Sequence, residues 1–136
     1  MAIDQSLHTA ATAALMDRFN EVFLRHDPAA LPSMIAENCV IEKISPASNG
    51  DRCVGRDACV ALWTEIATAP GIRFDLEEPF AMGDRAIIRW RFRSSEVASQ
   101  CGVNLKRLRD GLIVEAKDYK GCLALPLHQL SEPRLA

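Results

Sequence analysis

The chain has 136 residues, 49 % hydrophobic and 25 % charged, which is enough for one buried core and is an ordinary globular balance. A formal net charge of -2 leaves no basic excess to neutralise phosphates and argues against a nucleic-acid partner. No apolar run approaches the roughly 20 residues of a membrane helix, and the acidic, non-basic start (Asp4) does not resemble a secretion signal, so the reading is a cytoplasmic protein without membrane contact.

Leu7, Ala11, Leu15, Phe19, Val22 and Phe23 recur at helical spacing, while Asp17, Arg18, Asn20, Glu21 and Arg25 fall largely off that stripe. This predicts an amphipathic helix over about 6–25. His26-Asp27-Pro28 breaks it. Asp27 is placed to cap a second, short helix with Pro28 at its first position and Leu31, Met34 and Ile35 on its apolar side, with Pro32 as an awkward member. Residues 39–44 are β-rich, and 45–53 read as a loop. Gly55-Arg56-Asp57 opens a third helix with Cys59, Leu62, Trp63 and Ile66 on one face, stopped by Pro70-Gly71.

From residue 72 the period is two. Ile72, Phe74 and Leu76 alternate with Arg73, Asp75 and Glu77. After a Gly83-Asp84 turn, Ala86, Ile88, Trp90 and Phe92 alternate with Arg85, Arg89, Arg91 and Arg93. A loop over 94–102 leads to a strand over 103–108. Asp110-Gly111 is a hairpin turn, and 112–120 returns as the last strand. The domain is expected to run over 1–125, with 126–136 a loose tail. Helices first and strands after them predict an α+β fold: about three helices packed on a curved, mostly antiparallel sheet, forming a cone around a pocket.

Five cysteines (Cys39, Cys53, Cys59, Cys101, Cys122) have no Cys-x-x-Cys spacing, and with His8, His26 and His128 scattered they make no zinc pattern. They read as small buried thiols, and no metal or cofactor is expected. His26 reads as part of an interhelix turn, Asp84 and Asp110 as turn residues, and Asp57 as a helix-start acid. Trp63, Trp90, Phe19, Phe23, Phe74, Phe80 and Phe92 read as core, with Phe19, Phe23, Trp63 and Trp90 as the pocket-lining set.

Residues 19–40 (FNEVFLRHDPAALPSMIAENCV), 55–63 (GRDACVALW), 83–92 (GDRAIIRWRF) and 102–121 (GVNLKRLRDGLIVEAKDYKG) together, in this order, resemble the SnoaL-like branch of the nuclear transport factor 2-like superfamily. That superfamily includes ketosteroid isomerase, scytalone dehydratase, limonene epoxide hydrolase, polyketide cyclases and non-catalytic binding modules, so the resemblance implies a fold more than a reaction. Phe19 stands where the isomerase carries its oxyanion-hole tyrosine, Lys43 where it carries its base, and Asn104 where it carries its second donor. Phenylalanine donates no hydrogen bond and lysine is no carboxylate, so the resemblance does not carry isomerase chemistry across; Asn104 still donates. The Asp-Arg-Asp set of the epoxide hydrolases and the histidine pair of scytalone dehydratase have no counterpart.

On the strand over 103–108, apolar content alone would turn Val103 and Leu105 inward, whereas the resemblance turns Asn104, Lys106 and Leu108 inward. On the last strand it turns Ala116, Asp118 and Lys120 inward, unless a bulge reverses the parity. Asp118 is then the principal carboxylate of the pocket, a general base or a ligand anchor beside Lys43, Asn104, Lys106 and Lys120. The expected ligand is a small apolar or amphipathic molecule. The alternative is a cofactor-independent isomerase, cyclase or hydrolase in which Asp118 is the base and Asn104 and a lysine hold developing negative charge. The outer sheet face carries Arg89, Arg91, Arg93, Arg107, Glu115 and Lys117 with Leu105, Ile113 and Tyr119 interspersed. Relatives often pair through this face, which implies a homodimer.

Overall fold

A computed structural model describes residues 2–43, 52–94 and 99–120, with side chains from residue 6. The chain runs α1 (Ala2–Leu24), a 3-10 turn (Leu31–Met34), β1 (Ile35–Lys43), β2 (Arg52–Val54), α2 (Arg56–Ala67), β3 (Arg73–Leu76), β4 (Phe80–Met82), β5 (Arg85–Arg93), β6 (Gln100–Arg109) and β7 (Leu112–Lys120). The seven strands form one curved, unclosed sheet in the order β2-β1-β7-β6-β5-β3, with β4 also on β5. All pairings are antiparallel except β1 on β7. The architecture is α+β as expected, with two α-helices among the described residues rather than three.

The missing helix has a local cause. Pro32 has no N–H to donate into a helix begun at Pro28, so only one 3-10 turn closes, and Ile35 is already extended at φ -118°, ψ 129°. Asp27 caps no helix: its Oδ1 accepts from the Ala29 N–H at 3.1 Å in a local turn, and the 3-10 turn starts only after Ala30. The strand that follows begins four residues before the expected Cys39.

The stripe on α1 also differs from the expected one. Thr12, Leu15, Met16, Phe19, Asn20, Val22 and Phe23 are buried, whereas Leu7 is 63 % exposed and Ala11 is exposed. Two polar residues thus occupy the inward face. Thr12 Oγ1 donates to the Gly83 carbonyl at 2.7 Å, and the Gly83 N–H donates to Thr9 Oγ1 at 2.8 Å, tying the helix to the β4–β5 turn. The helix ends in a Schellman pair: the His26 N–H donates to the Phe23 carbonyl and the Asp27 N–H to the Val22 carbonyl. His26 takes the left-handed conformation that this motif needs (φ 55°), and its Nδ1 lies 2.8 Å from the Ala67 carbonyl at the end of α2. His26 is therefore a joint between the two helices.

The core fills the space between α1, α2 and the inner sheet face, with Met16, Leu31, Ile35, Cys39, Ile41, Cys59 and Ile113 fully enclosed. Sequence expectation misplaces several residues around it. Phe80, expected in the core, sits on the outer side of β4, a strand the periodicity did not announce, and is 62 % exposed. Cys53 lies in β2 instead of a loop, and β6 starts at Gln100. Cys39 and Cys59 are buried thiols, but Cys101 is exposed. Cys122, His128 and the expected tail at 126–136 lie outside the described residues, as do residue 44 of the expected strand and 45–51 of the expected loop.

Two irregularities in the β7 ladders position everything that follows. At its tip, Asp110 and Gly111 both have positive φ (53° and 77°), giving the two-residue turn that Asp-Gly favours. Beyond the turn Leu108 pairs with Ile113, but Arg107 pairs with Glu115, leaving Val114 as a one-residue bulge. Ile113, expected on the outer face, is fully buried as a result. After the bulge the parity is reset, so Ala116 and Asp118 face inward and Glu115 and Lys117 outward. The second irregularity lies between β1 and β7, where five steps from Ile35 to Val40 match two from Ile113 to Glu115. The Ile35 carbonyl freed there accepts from Arg56 Nε at 2.8 Å, and the Cys39 carbonyl from the Gly55 N–H at 2.8 Å.

Candidate functional site

A cavity of about 390 Å³ opens between the helices and the inner sheet face. Its wall is mostly aromatic and aliphatic. Phe19 packs edge-on against Trp63 (centroids 4.9 Å, 78°) and lies tilted on Phe23 (5.0 Å, 53°), and Phe23 meets Phe74 at 5.6 Å. These side chains come from α1, α2 and β3, so the wall is a continuation of the core. The four expected lining aromatics, Phe19, Phe23, Trp63 and Trp90, all reach it.

Polar groups enter from β1, β6 and β7. Antiparallel pairing sets Asn104 opposite Asp118 and Lys106 opposite Ala116, while the parallel pairing sets Lys43 beside Asp118. Asn104 and Lys106 are buried, and Val103 and Leu105 face the other way, so the inward set on β6 is the polar one. The cavity thus gathers Lys43, Asn104, Lys106, Asp118 and Lys120, the polar residues expected there, with Lys120 exposed at the rim. Asn20 and Glu65 were not anticipated on the wall. Neither had a signal in the sequence, where the apolar pattern leaves Asn20 off the inward stripe of α1.

Lys106 dominates the electrostatics. Only 3 % of it is exposed. Its Nζ donates to Asn104 Oδ1 and stands 4.1 Å from the centroid of the Phe19 ring and 5.5 Å from that of Trp63. Burial disfavours the ammonium more than Asp118 and Cys39 favour it, and the amine is pushed down to about 7. The ring faces of Phe19 and Trp63 attract whatever positive charge remains. Cys39, behind it on β1, is pushed up to about 12, chiefly by burial and next by Cys59. It is a protonated, inert thiol.

Asp118 is half-buried and accepts from the Trp90 indole Nε1 at 3.0 Å. This bond crosses β6 and exists because of Gly102. A Cβ at Gly102 would lie 2.5 Å from Trp90 Cζ2 and 2.4 Å from the Tyr119 carbonyl oxygen. With no side chain there, the indole lies over the strand, stacked on Phe92 (5.8 Å, 8°), and reaches the carboxylate two strands away. Gly102 had been read only as the end of a loop. Among the described residues no group of three or more His, Cys, Asp and Glu could hold a metal ion, and no helix is long and apolar enough to cross a membrane.

A curved sheet with helices over one face, closing on an apolar cavity with a few inward polar groups, is the architecture of the nuclear transport factor 2-like proteins. Solved structures agree. An NTF2-like protein of unknown function from Mesorhizobium loti matches 84 % of this chain and 93 % of its own at 58 % identity and a TM-score of 0.80. A steroid delta-isomerase of Pseudomonas aeruginosa (20 % identity, 83 % and 81 % covered, TM-score 0.68) and an LEH-like epoxide hydrolase of M. tuberculosis (14 %, 83 % and 84 %, 0.66) share the fold. Within that superfamily the chain belongs to the SnoaL-like domain family, whose model matches residues 16–116. No functionally curated protein matches it in sequence.

Proposed function

We propose that the chain binds a small, largely apolar molecule whose polar oxygen lies against Lys106 and Asn104. One observation carries this reading: a lysine amine, 3 % exposed, is turned into an apolar cavity of about 390 Å³. Burying a charge-bearing group is costly unless it is paired, and an amine and an amide at the wall are suited to a carbonyl, hydroxyl or anionic oxygen. The test is a calorimetric comparison of a compact ketone with the hydrocarbon of the same shape. The ketone should bind more tightly, and Lys106→Met should erase the preference. Equal binding of both by the unaltered protein would overturn the reading.

A second reading is cofactor-free catalysis with Asp118 as general base, and the observation favouring it is the carboxylate itself, half-buried, inward and oriented by the Trp90 N–H. Lys106 and Asn104 would then stabilise charge developing on the substrate oxygen. Similarity to isomerases and an epoxide hydrolase keeps proton transfer and water addition in view. Phe19 and Lys43 weigh against ketosteroid isomerisation itself. A proton–deuterium exchange assay on a bound ketone separates the readings: Asp118→Asn should abolish exchange and leave binding intact.

The proposed partner of the outer sheet face is a second copy. Phe80 opposes Ile87, and Ile87 opposes Leu105, making an apolar stripe across β4, β5 and β6. Phe80, Met82, Ile87 and Tyr119 are 62, 61, 40 and 40 % exposed. Around them, Arg89 and Glu77 (3.3 Å) and Arg107 and Glu115 (3.6 Å) pair on the same face. Charges of both signs around an apolar stripe suit a self-complementary two-fold contact.

A further inference from the structure

The site described above contains a group that hydrogen bonding alone does not need: a primary amine shut away from water. We propose that the Lys106 amine is a nucleophile that condenses with an aldehyde or ketone held in the cavity, forming an imine. The proposal rests on the binding reading given above and adds a covalent step and a substrate class to it.

Geometry supplies the argument. The amine stands over the rings of Phe19 of α1 and Trp63 of α2 and donates to Asn104 of its own strand, with Asp118 of β7 and Cys39 of β1 near enough to act on its charge. Rings on two sides exclude water, and the open side is the cavity. A lysine in such a place is about half free amine near neutral pH, and the free amine is the form with a lone pair to give. Lys43 and Lys120 also border the cavity, but they are half-buried and exposed.

The step balances without a further reagent. The amine lone pair attacks the carbonyl carbon, the C–N bond forms, and the carbonyl π pair moves to oxygen, which takes a proton as the nitrogen releases one. The carbinolamine then loses its hydroxyl as water with a second proton, the nitrogen gives up its remaining N–H, and the C=N bond closes. Asp118, which lines the same cavity, is the carboxylate that would carry protons between nitrogen and oxygen. The apolar wall favours loss of water and protects the imine from hydrolysis.

The experiment uses naphthaldehyde with cyanoborohydride at neutral pH, followed by intact-mass measurement and peptide mapping. Naphthalenemethanol, which lacks the carbonyl, serves as the binding control by calorimetry. The expected result is one naphthylmethyl group, on Lys106, acquired at least about tenfold faster than on any other lysine, because surface amines near their ordinary pKa are almost wholly protonated there. Lys106→Met and Lys106→Arg, each shown to be folded by thermal unfolding, should lose that fast label. Alcohol binding with no preferential label on Lys106 would overturn the nucleophile and leave the binding reading standing. Failure of both probes to bind or label would overturn both. Labelling first at Lys43 or Lys120 would also overturn the assignment.

Discussion

Replacing Lys106 by methionine takes a buried amine out of the fold and keeps most of its volume. The amine falls from 10.5 to about 7 on folding. At about 1.4 kcal/mol per unit this is a penalty of about 5 kcal/mol, felt in full wherever both states are charged. Between about pH 7 and 10.5 the unfolded chain holds the extra proton, so this group makes stability rise with pH across that window and leaves it flat below about pH 7. Methionine removes the penalty. It also leaves the Asn104 amide oxygen without its donor, a loss of about 1–3 kcal/mol, and forfeits the ring contacts, about 0.5–2 kcal/mol. The expected net effect near pH 6 is a variant as stable as the parent or more so, by about 0–3.5 kcal/mol, with the difference shifting toward the parent by about 2 kcal/mol by pH 8.5. Urea unfolding of both proteins at several pH values in that range measures it. Cys39 also acts on the amine's charge, but its thiol, pushed up to about 12, stays protonated in the fold throughout the range. A stability gap that does not change with pH would refute the reasoning, whatever its sign.

Gly102→Ala should cost about 1–3 kcal/mol by overpacking, and it should shift tryptophan fluorescence, since the added methyl displaces the indole from Asp118; unchanged fluorescence and stability would remove that role for Gly102. Thr12→Val leaves the Gly83 carbonyl without its donor and should destabilise by about 1–3 kcal/mol in thermal unfolding without altering the cavity lining. In the native protein iodoacetamide should alkylate Cys101 readily, while Cys39 and Cys59 should react only on unfolding, as peptide mapping will show; early modification of Cys39 would contradict its burial. Sedimentation at micromolar concentration should show a dimer that Ile87→Glu dissociates, and a purely monomeric parent would sink the outer-face proposal.

Much of the architecture was legible because the alternation on β5 and the spacing of Cys59, Trp63 and Ile66 on α2 each allow one burial solution. The Asp-Gly turn was equally direct, since two consecutive positive φ angles leave few residue choices. The second helix was misread because Pro28 as a starter and Pro32 as a breaker sit four apart, and propensity does not say which wins. Phe80 was misplaced because a three-residue strand has too few positions to show a period. On β6 the apolar pattern named one face and the resemblance the other. The structure chose the polar residues because the cavity, not the packed core, lies beneath that part of the strand. Phe19, Phe23, Trp63 and Trp90 were readable as lining residues, whereas Phe74 and Phe92, which also border the cavity, were read as core. The Trp90–Asp118 bond was not readable, since it depends on an absent side chain at position 102 and on pairings across two ladders.

The extra residue at Val114 has a consequence for how this site could diversify. Removing one amino acid between the hairpin tip and position 115 would turn the far half of β7 over, withdrawing the carboxylate and presenting Lys117 and Tyr119 to the interior instead. A single codon lost there would exchange the β7 carboxylate on the pocket wall for an amine and a phenol while leaving the helices and most of the interior packing in place.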